Sequence, residues 1–142
     1  MTASAIETLH EIHTATNDVL KGYREMTARA EPEIESVIRQ LTDMHSLHAT
    51  EQESELARLR QSGKDDSSIQ GTVNKAVVVL RDWVSHLNSD VLPAVRQGEE
   101  SLREKYYKAL KSDQVQADSS MTNLLKRQLD LISAAIARLP RE

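Results

Sequence analysis

Apolar residues recur at every third or fourth position through most of this chain, and no other feature constrains its fold as strongly. Residues with this spacing lie on one face of an α-helix, which is buried against other helices. Only four glycines and three prolines occur among the 142 residues, so the helices must be long. Phenylalanine and cysteine are absent, which excludes disulfides and leaves an aliphatic core suited to helix packing. The first apolar stripe consists of Ile6, Leu9, Ile12, Val19, Leu20, Tyr23 and Met26.

Helix-breaking residues divide the chain into five predicted helices. Glu31 precedes Pro32 and is therefore disfavoured in a helix, while Pro32 suits the first position of the next one. Gly63 is a natural end for the second helix, and Asp90 is a natural start for the fourth. Pro140 follows the last helix. The predicted helices cover residues 4–30, 32–62, 69–87, 90–111 and 119–139.

Loop lengths predict how these helices are arranged. A short turn forces two neighbouring helices into an antiparallel hairpin, and the chain offers two such hairpins. A long crossover, which carries the shorter helix 69–87, joins them. This connectivity is that of ferritin-like bundles. The predicted fold class is therefore all-α, a ferritin-like four-helix bundle that forms a single domain over residues 1–142.

Several short motifs resemble a known family. They follow a short helix that contains Trp83 and a first helix that contains Tyr23. The chain from about Ile6 to Leu110 resembles a bacterial family of uncharacterised ferritin-like four-helix-bundle proteins, known as a domain of unknown function. The resemblance implies a fold and no established activity. The motifs are Gly98-Glu99-Glu100 and Tyr106-Tyr107-Lys108-Ala109-Leu110.

Charge and hydropathy exclude several classes of partner. The net charge is −4 with both signs interspersed, whereas a nucleic-acid binder needs a basic face. The longest apolar run, Ala76 to Leu80, is too short to span a membrane, and the start of the chain carries no export signal. We therefore expect a cytoplasmic protein with no nucleic-acid or membrane partner. A second copy of the chain could bind through a helix face.

Polar residues interrupt the apolar stripes where the centre of the bundle should lie. His13 and Thr16 interrupt the first stripe, His48 the second, Glu99 the fourth and Gln128 the last. Residues equally far from a hairpin turn lie at one level. A turn near residue 31 predicts that His13 lies across from His48 and Thr16 across from His45. A turn near residues 113 and 114 makes Glu99 level with Gln128.

Two interpretations of these polar residues stay open. The first is a metal site formed by His13, His48, Glu51 and Glu99, because imidazole and carboxylate ligands suit Fe, Mn or Zn. A complete carboxylate-bridged di-iron centre is not predicted, since it needs a Glu or Glu-x-x-His from every helix and residues 121–139 contain neither Glu nor His. The second is a core without cofactor, in which His13 and His48 hydrogen-bond each other.

The predicted function follows from these interpretations. We favour a non-enzymatic bundle, either stress-associated or structural and interacting through its surfaces, that lacks a complete di-iron centre. The alternative is a metal-binding protein or oxidase that uses the inward His and Glu residues. In both cases Glu99 is predicted to be buried, with donors from Tyr23, Gln128 and the histidines of the first hairpin.

Overall fold

Five α-helices make up the part of the chain that the structure, a computed structural model, describes: residues 4–61 and 89–141. A 3-10 turn, Ser89–Val91, leads into the third of them. Within these two ranges there is no strand, and no helix is both long and apolar enough to cross a bilayer. The predicted helix 69–87 and the crossover lie outside the described residues. The helices are α1 (Ala5–Thr27), α2 (Pro32–Gln61), α3 (Leu92–Leu110), α4 (Asp113–Gln116) and α5 (Ser119–Ala137).

Local capping explains where α1 begins. The hydroxyl of Ser4 accepts a hydrogen bond from the backbone N–H of Glu7 at 3.1 Å, and the Glu7 carboxylate accepts one from the N–H of Ser4 at 3.3 Å. This reciprocal pair satisfies two N–H groups that the helix itself cannot bond. Pro32 is the first residue of α2, as predicted. The four long helices therefore begin and end within three residues of their predicted bounds.

The long helices surround a common core. α1 packs along α2, and α3 packs along α5. Contacts between α1 and α3 and between α2 and α5 join these two pairs into a four-helix arrangement. One apolar cluster joins the start of α1 to the ends of α2 and α3 and includes residues along α5 from Met121 to Ile136. A second joins the ends of α1 and α5 to the starts of α2 and α3, while Arg58 near the end of α2 pairs with Asp118 at the start of α5. α1 and α5 therefore run in one direction and α2 and α3 in the other, so α2 ends where α3 does and far from where α3 begins.

An ion-paired cap holds the start of α5 on α2. The Asp118 carboxylate accepts the N–H of Met121 at 3.0 Å, and both its oxygens lie 2.8 Å from one guanidinium nitrogen of Arg58. Arg58 also donates to Glu55 at 2.7 Å. These hydrogen bonds, first to Glu55 and then to Asp118, raise the pKa of Arg58 above its ordinary value.

We expect Asp118→Ala to lower the free energy of unfolding by about 2 kcal/mol, because it removes a helix cap and a charge-assisted pair together. Asp118→Asn should cost less, since the amide oxygen can still cap the helix. Urea denaturation followed by circular dichroism measures both. Asp113→Ala is the control, because Asp113 is exposed in α4. Equal effects of the two alanine variants would contradict the prediction.

Candidate functional site

Buried polar side chains lie near the middle of the long helices, and we call them the polar layer. Each is at most 6 % exposed. The two tyrosines of the layer also pack in the apolar clusters, Tyr106 in the first and Tyr23 in the second. α1, α2 and α3 each contribute a pair of them seven residues apart, which is two helical turns on the same side of the helix. The layer consists of Thr16, Tyr23, His45, His48, Gln52, Glu99, Tyr106 and Gln128.

Glu99 is the only carboxylate of the polar layer, and two donors hold it. The hydroxyl of Tyr23 donates to Oε2, and Nε2 of His45 lies 2.8 and 3.0 Å from the two carboxylate oxygens. A buried carboxylate has lost its hydration, so these donors supply what water would otherwise provide. Burial, and then the charge of Glu99, raises the pKa of Tyr23 well above 10, so Tyr23 remains a donor. We call these three residues the Glu99 triad.

Gln52 connects three helices one level away from the triad. Its Nε2 lies 3.2 Å from the Thr16 hydroxyl, 3.0 Å from the Tyr106 hydroxyl and 3.1 Å from Oε1 of Gln128. The Tyr106 hydroxyl in turn donates to the same Gln128 oxygen at 2.7 Å. Burial raises the pKa of Tyr106 above its ordinary value. These four side chains, the Gln52 network, therefore need neither water nor a cation to bond one another.

Gln128 extends the network from α5 to the backbone and edge of α2. Its Nε2 donates to the backbone carbonyl of His48 at 3.3 Å and to the Glu51 carboxylate at 3.0 Å. Glu51 also lies 3.4 Å from a guanidinium nitrogen of Arg127. The Glu51 carboxylate is 29 % exposed, so it belongs to the rim of the layer rather than to its interior.

His48 is the member of the layer that lacks side-chain partners. It is 1 % exposed, and neither ring nitrogen has a hydrogen-bond partner within the described ranges. Its ring meets that of His45 edge-on, with 5.8 Å between the centroids. Burial, and then the positive charge that His45 can carry, lowers the pKa of His48 to about 4, although Glu51 and Glu99 act in the opposite direction. The imidazole is therefore neutral at pH 7.

His13 does not join the layer, so the predicted pairing of His13 with His48 is wrong. The ring of His13 is 17 % exposed and bonds Glu53 at 3.1 Å and Asn17 at 3.4 Å. Position 13 lies at the edge of the buried face of α1, whose inward residues are Ile12 and Thr16. The prediction failed because α1 and α2 are aligned differently. Thr16 bonds Gln52, which lies two turns further along α2 than the predicted partner His45.

The second hairpin is also aligned differently from the prediction. Glu99 was expected to be level with Gln128, but Gln128 bonds Tyr106, two turns further along α3. The segment between the predicted helices 90–111 and 119–139 contains the short helix α4, whose Val115 is buried. This added turn moves α5 along α3. The prediction that Glu99 is buried is confirmed, as are Tyr23 and a histidine of the first hairpin as donors, whereas Gln128 is not a donor to it.

A comparison of sequences assigns the chain to a family. The sequence profile described as a domain of unknown function (DUF2383) matches residues 4–112 of the 142. The chain belongs to this family. Searches of the curated proteins and of the solved structures found no significant match. The expectation of an uncharacterised family is therefore confirmed.

The DUF2383 match covers α1, α2 and α3 and ends before α5. Seven of the eight polar-layer residues lie inside it, and Gln128 lies outside. Of the four sequence-predicted metal ligands, all inside the match, the structure brings His48 and Glu99 into the layer, places Glu51 at its rim and leaves His13 beside Glu53. In the described ranges no three His, Asp or Glu side chains are grouped closely enough to hold a metal ion.

Four members of the layer, Tyr23, His45, Gln52 and Tyr106, were not among the predicted metal ligands, although Tyr23 and the histidines of the first hairpin were predicted as donors to Glu99. Each of them stands seven residues from another polar-layer residue on the same helix, as Tyr23 does from Thr16. A search for polar residues spaced by seven on an apolar stripe would have found them. That signal exists in three separate helices, which makes it more specific than a single inward histidine.

Proposed function

We propose that this DUF2383 protein is a non-enzymatic, ferritin-like helical bundle that acts as a stress-associated or structural and interaction protein. The observation that supports it best is that seven of the eight polar side chains at the centre of the bundle bond one another, all except His48. A carboxylate-bridged di-iron centre needs carboxylates from four helices, and at this level α5 supplies the amide of Gln128. The residues present do not fit such a centre, so no step of a redox reaction is assigned to them.

The directions of the long helices support the ferritin-like part of the proposal. α2 and α3 run in the same direction, and each forms an antiparallel pair, α2 with α1 and α3 with α5. Two antiparallel pairs in this arrangement need one long crossover. The proposal takes residues 1–142 as one domain and retains the expectations of a bacterial, cytoplasmic protein that works without nucleic acid. A second copy of the chain is the partner it allows.

Metal analysis of the untagged protein tests this function. Cells are grown with added iron, manganese and zinc, and the purified protein is examined by elemental mass spectrometry. We expect well under a tenth of an equivalent of any of these metals per chain, because Tyr23 and His45 already bond Glu99 and no three metal-ligating side chains of the described ranges are grouped. We also expect the melting temperature to be unchanged by a chelator. About one equivalent per chain would overturn the proposal.

One observation favours a second candidate, a metal-binding protein or oxidase. Both ring nitrogens of His48 are unpartnered and lie beside the Glu99 triad, which offers an imidazole and a carboxylate. Fe, Mn or Zn bound there would use His48 and Glu99 of the predicted set, with Glu51 at the rim and His13 only after rearrangement of α1. In the same measurement, His48→Phe would abolish any metal bound in this way and would leave surface-bound metal unchanged.

A further inference from the structure

Two exposed leucines lie together on one side of the bundle. Leu47 on α2 and Leu131 on α5 are 56 % and 48 % exposed, and they are two of the three large apolar side chains that are exposed within the described ranges. The third, Tyr107, lies on α3 and has the guanidinium of Arg103 over its ring, 5.9 Å from the centroid. A single exposed leucine is ordinary, but a pair of them on adjoining helices forms an apolar patch.

The contact between α2 and α5 places these leucines at one level. Gln128 bonds the Glu51 carboxylate at 3.0 Å across this contact, and the two helices are antiparallel. Leu47 lies one turn before Glu51, and Leu131 lies about one turn after Gln128, so the two leucines are level. α2 and α5 also touch each other less than the other pairs of long helices that pack side by side. The leucines therefore lie next to each other where the bundle is least closely packed.

Acidic residues flank the leucine of α2, and basic residues flank that of α5. They are spaced by four or seven residues from the leucine of their helix, which places them on its side of that helix. Glu51 and Arg127 lie 3.4 Å apart within the chain, whereas Asp43 and Arg138 are exposed and have no ion-pair partner within the described ranges. We call this surface the α2–α5 face, and it consists of Asp43, Leu47, Glu51, Arg127, Leu131 and Arg138.

We propose that the α2–α5 face binds a second copy of this chain, with α2 of each copy lying on α5 of the other. A twofold axis parallel to the long helices produces this contact, and the same surface is then used by both copies. Leu47 of one copy meets the partner's Leu131 at the same level, and the reverse contact forms beside it. The inference rests on the proposed function, which takes a second copy as the partner, and names the surface that binds it.

Charge distinguishes this arrangement from the other twofold dimer that the face allows. An axis perpendicular to the helices and within the face would set α2 on α2 and α5 on α5, so that charges of the same sign oppose each other. With the parallel axis, acidic and basic sides meet twice. Arg138 then lies about three residues, or ~4.5 Å along the helix axis, from the level of the partner's Asp43, which is within reach of an arginine side chain.

The size of the face is typical of a weak, reversible dimer. Two helices side by side are ~20 Å wide, and the 19 residues of α5 span ~28 Å, so the face covers on the order of 600 Å² in projection. A standard interface buries about 800 Å² of each partner. We therefore expect a dissociation constant between ~1 and ~100 µM.

Sedimentation velocity of the untagged full chain tests the dimer. Chain concentrations run from ~1 to ~500 µM in low salt, where exposed charge pairs are screened least. We expect a monomer that converts to a dimer over this range. Leu131→Gln should weaken the dimer by at least about tenfold, because the symmetry removes two leucines at once. Tyr107→Gln is the matched control, since Tyr107 is 42 % exposed but lies on α3, and it should leave the dissociation constant unchanged.

A charge swap tests the orientation of the two copies. Arg138→Glu and Asp43→Arg should each weaken the dimer by about tenfold, because the symmetry turns each single change into two repulsive contacts. The double variant restores opposite charges with their places exchanged, so it should recover most of the lost affinity. Both positions are exposed, and circular dichroism checks that each variant is folded.

Three results would overturn the inference. A chain that stays monomeric at the highest concentration would leave this face to residues 62–88 of the same chain or to a different protein. A dimer that Leu131→Gln does not weaken would use another surface. A charge swap that restores no affinity would contradict the contact of α2 with α5.

The metal analysis keeps this inference separate from the proposed function. A metal-free chain that stays monomeric would overturn the dimer and leave the non-enzymatic bundle in place. A dimer that carries about one metal equivalent per chain would overturn the non-enzymatic function and leave the interface in place.

Discussion

Replacing Glu99 with alanine is expected to lower the free energy of unfolding by about 4 kcal/mol, the largest effect of any single substitution considered for this protein. The change leaves the Tyr23 hydroxyl and Nε2 of His45 without an acceptor, and both groups are buried. Breaking a buried, hydrogen-bonded pair by removing one partner typically costs about 3–5 kcal/mol, and the lost methylene groups add a cavity. Chemical denaturation at pH 7.5, followed by circular dichroism, measures the change.

Two further variants separate the effect of the lost charge from that of the lost side-chain volume. Glu99→Gln keeps the volume and one acceptor, so we expect a loss of about 1–3 kcal/mol, because the new NH2 group faces the N–H of His45. Glu100→Ala is the control on the neighbouring residue, whose carboxylate is 40 % exposed and lies 3.4 Å from Arg96. It should cost less than about 1 kcal/mol. If Glu99→Ala costs no more than Glu100→Ala, the triad does not stabilise the bundle.

Replacing Gln52 with leucine is expected to have the second-largest effect, a loss of about 3 kcal/mol. The substitution preserves apolar volume but removes the donor shared by Thr16, Tyr106 and Gln128. Each of the three lost hydrogen bonds contributes about 0.5–1.5 kcal/mol, and the partners keep other bonds, from Thr16 to the Ile12 carbonyl and from Tyr106 to Gln128. The same denaturation experiment gives the value.

A double-mutant cycle sharpens this prediction. Tyr106→Phe and Gln52→Leu each remove the hydrogen bond between these two side chains, so the double variant should lose less stability than the sum of the two single variants. Ser54→Ala serves as the control on α2, because Ser54 is exposed. Additive losses in the cycle would show that the two side chains act independently, contrary to the hydrogen bond between them.

The long helices of the described residues could be predicted from sequence because their signals are local. A stripe such as Leu9, Ile12 and Leu20 is a property of one helix, and Pro32 marks a helix start in any tertiary context. Glu99 was identified as buried for the same reason, since Val95 and Leu102 lie on either side of it on one face of α3. These three predictions, each of which depends on one helix at a time, were therefore confirmed.

The alignment of one helix against another could not be predicted in this way. It depends on where the chain reverses direction in each hairpin. In the first hairpin the partner of Thr16 is Gln52, which lies two helical turns along α2 from the predicted partner His45. In the second hairpin α4 was the unrecognised feature, because four residues of helix within a polar stretch carry little periodic signal. The metal ligands were predicted from their expected level in the hairpins. His13 was therefore included, although the structure places it beside Glu53 and outside the polar layer.

The spacing of the polar layer has a consequence for folding fidelity. Aliphatic side chains tolerate many partners, so a bundle made only of leucine and isoleucine could settle with its helices offset by a turn at little cost. Here such an offset would set Glu99 or Gln52 against hydrocarbon, without donors or acceptors. Because three helices repeat the polar pair at the same interval, only one arrangement satisfies all of them. The buried hydrogen bonds thus destabilise bundles with misaligned helices more than they stabilise the native bundle.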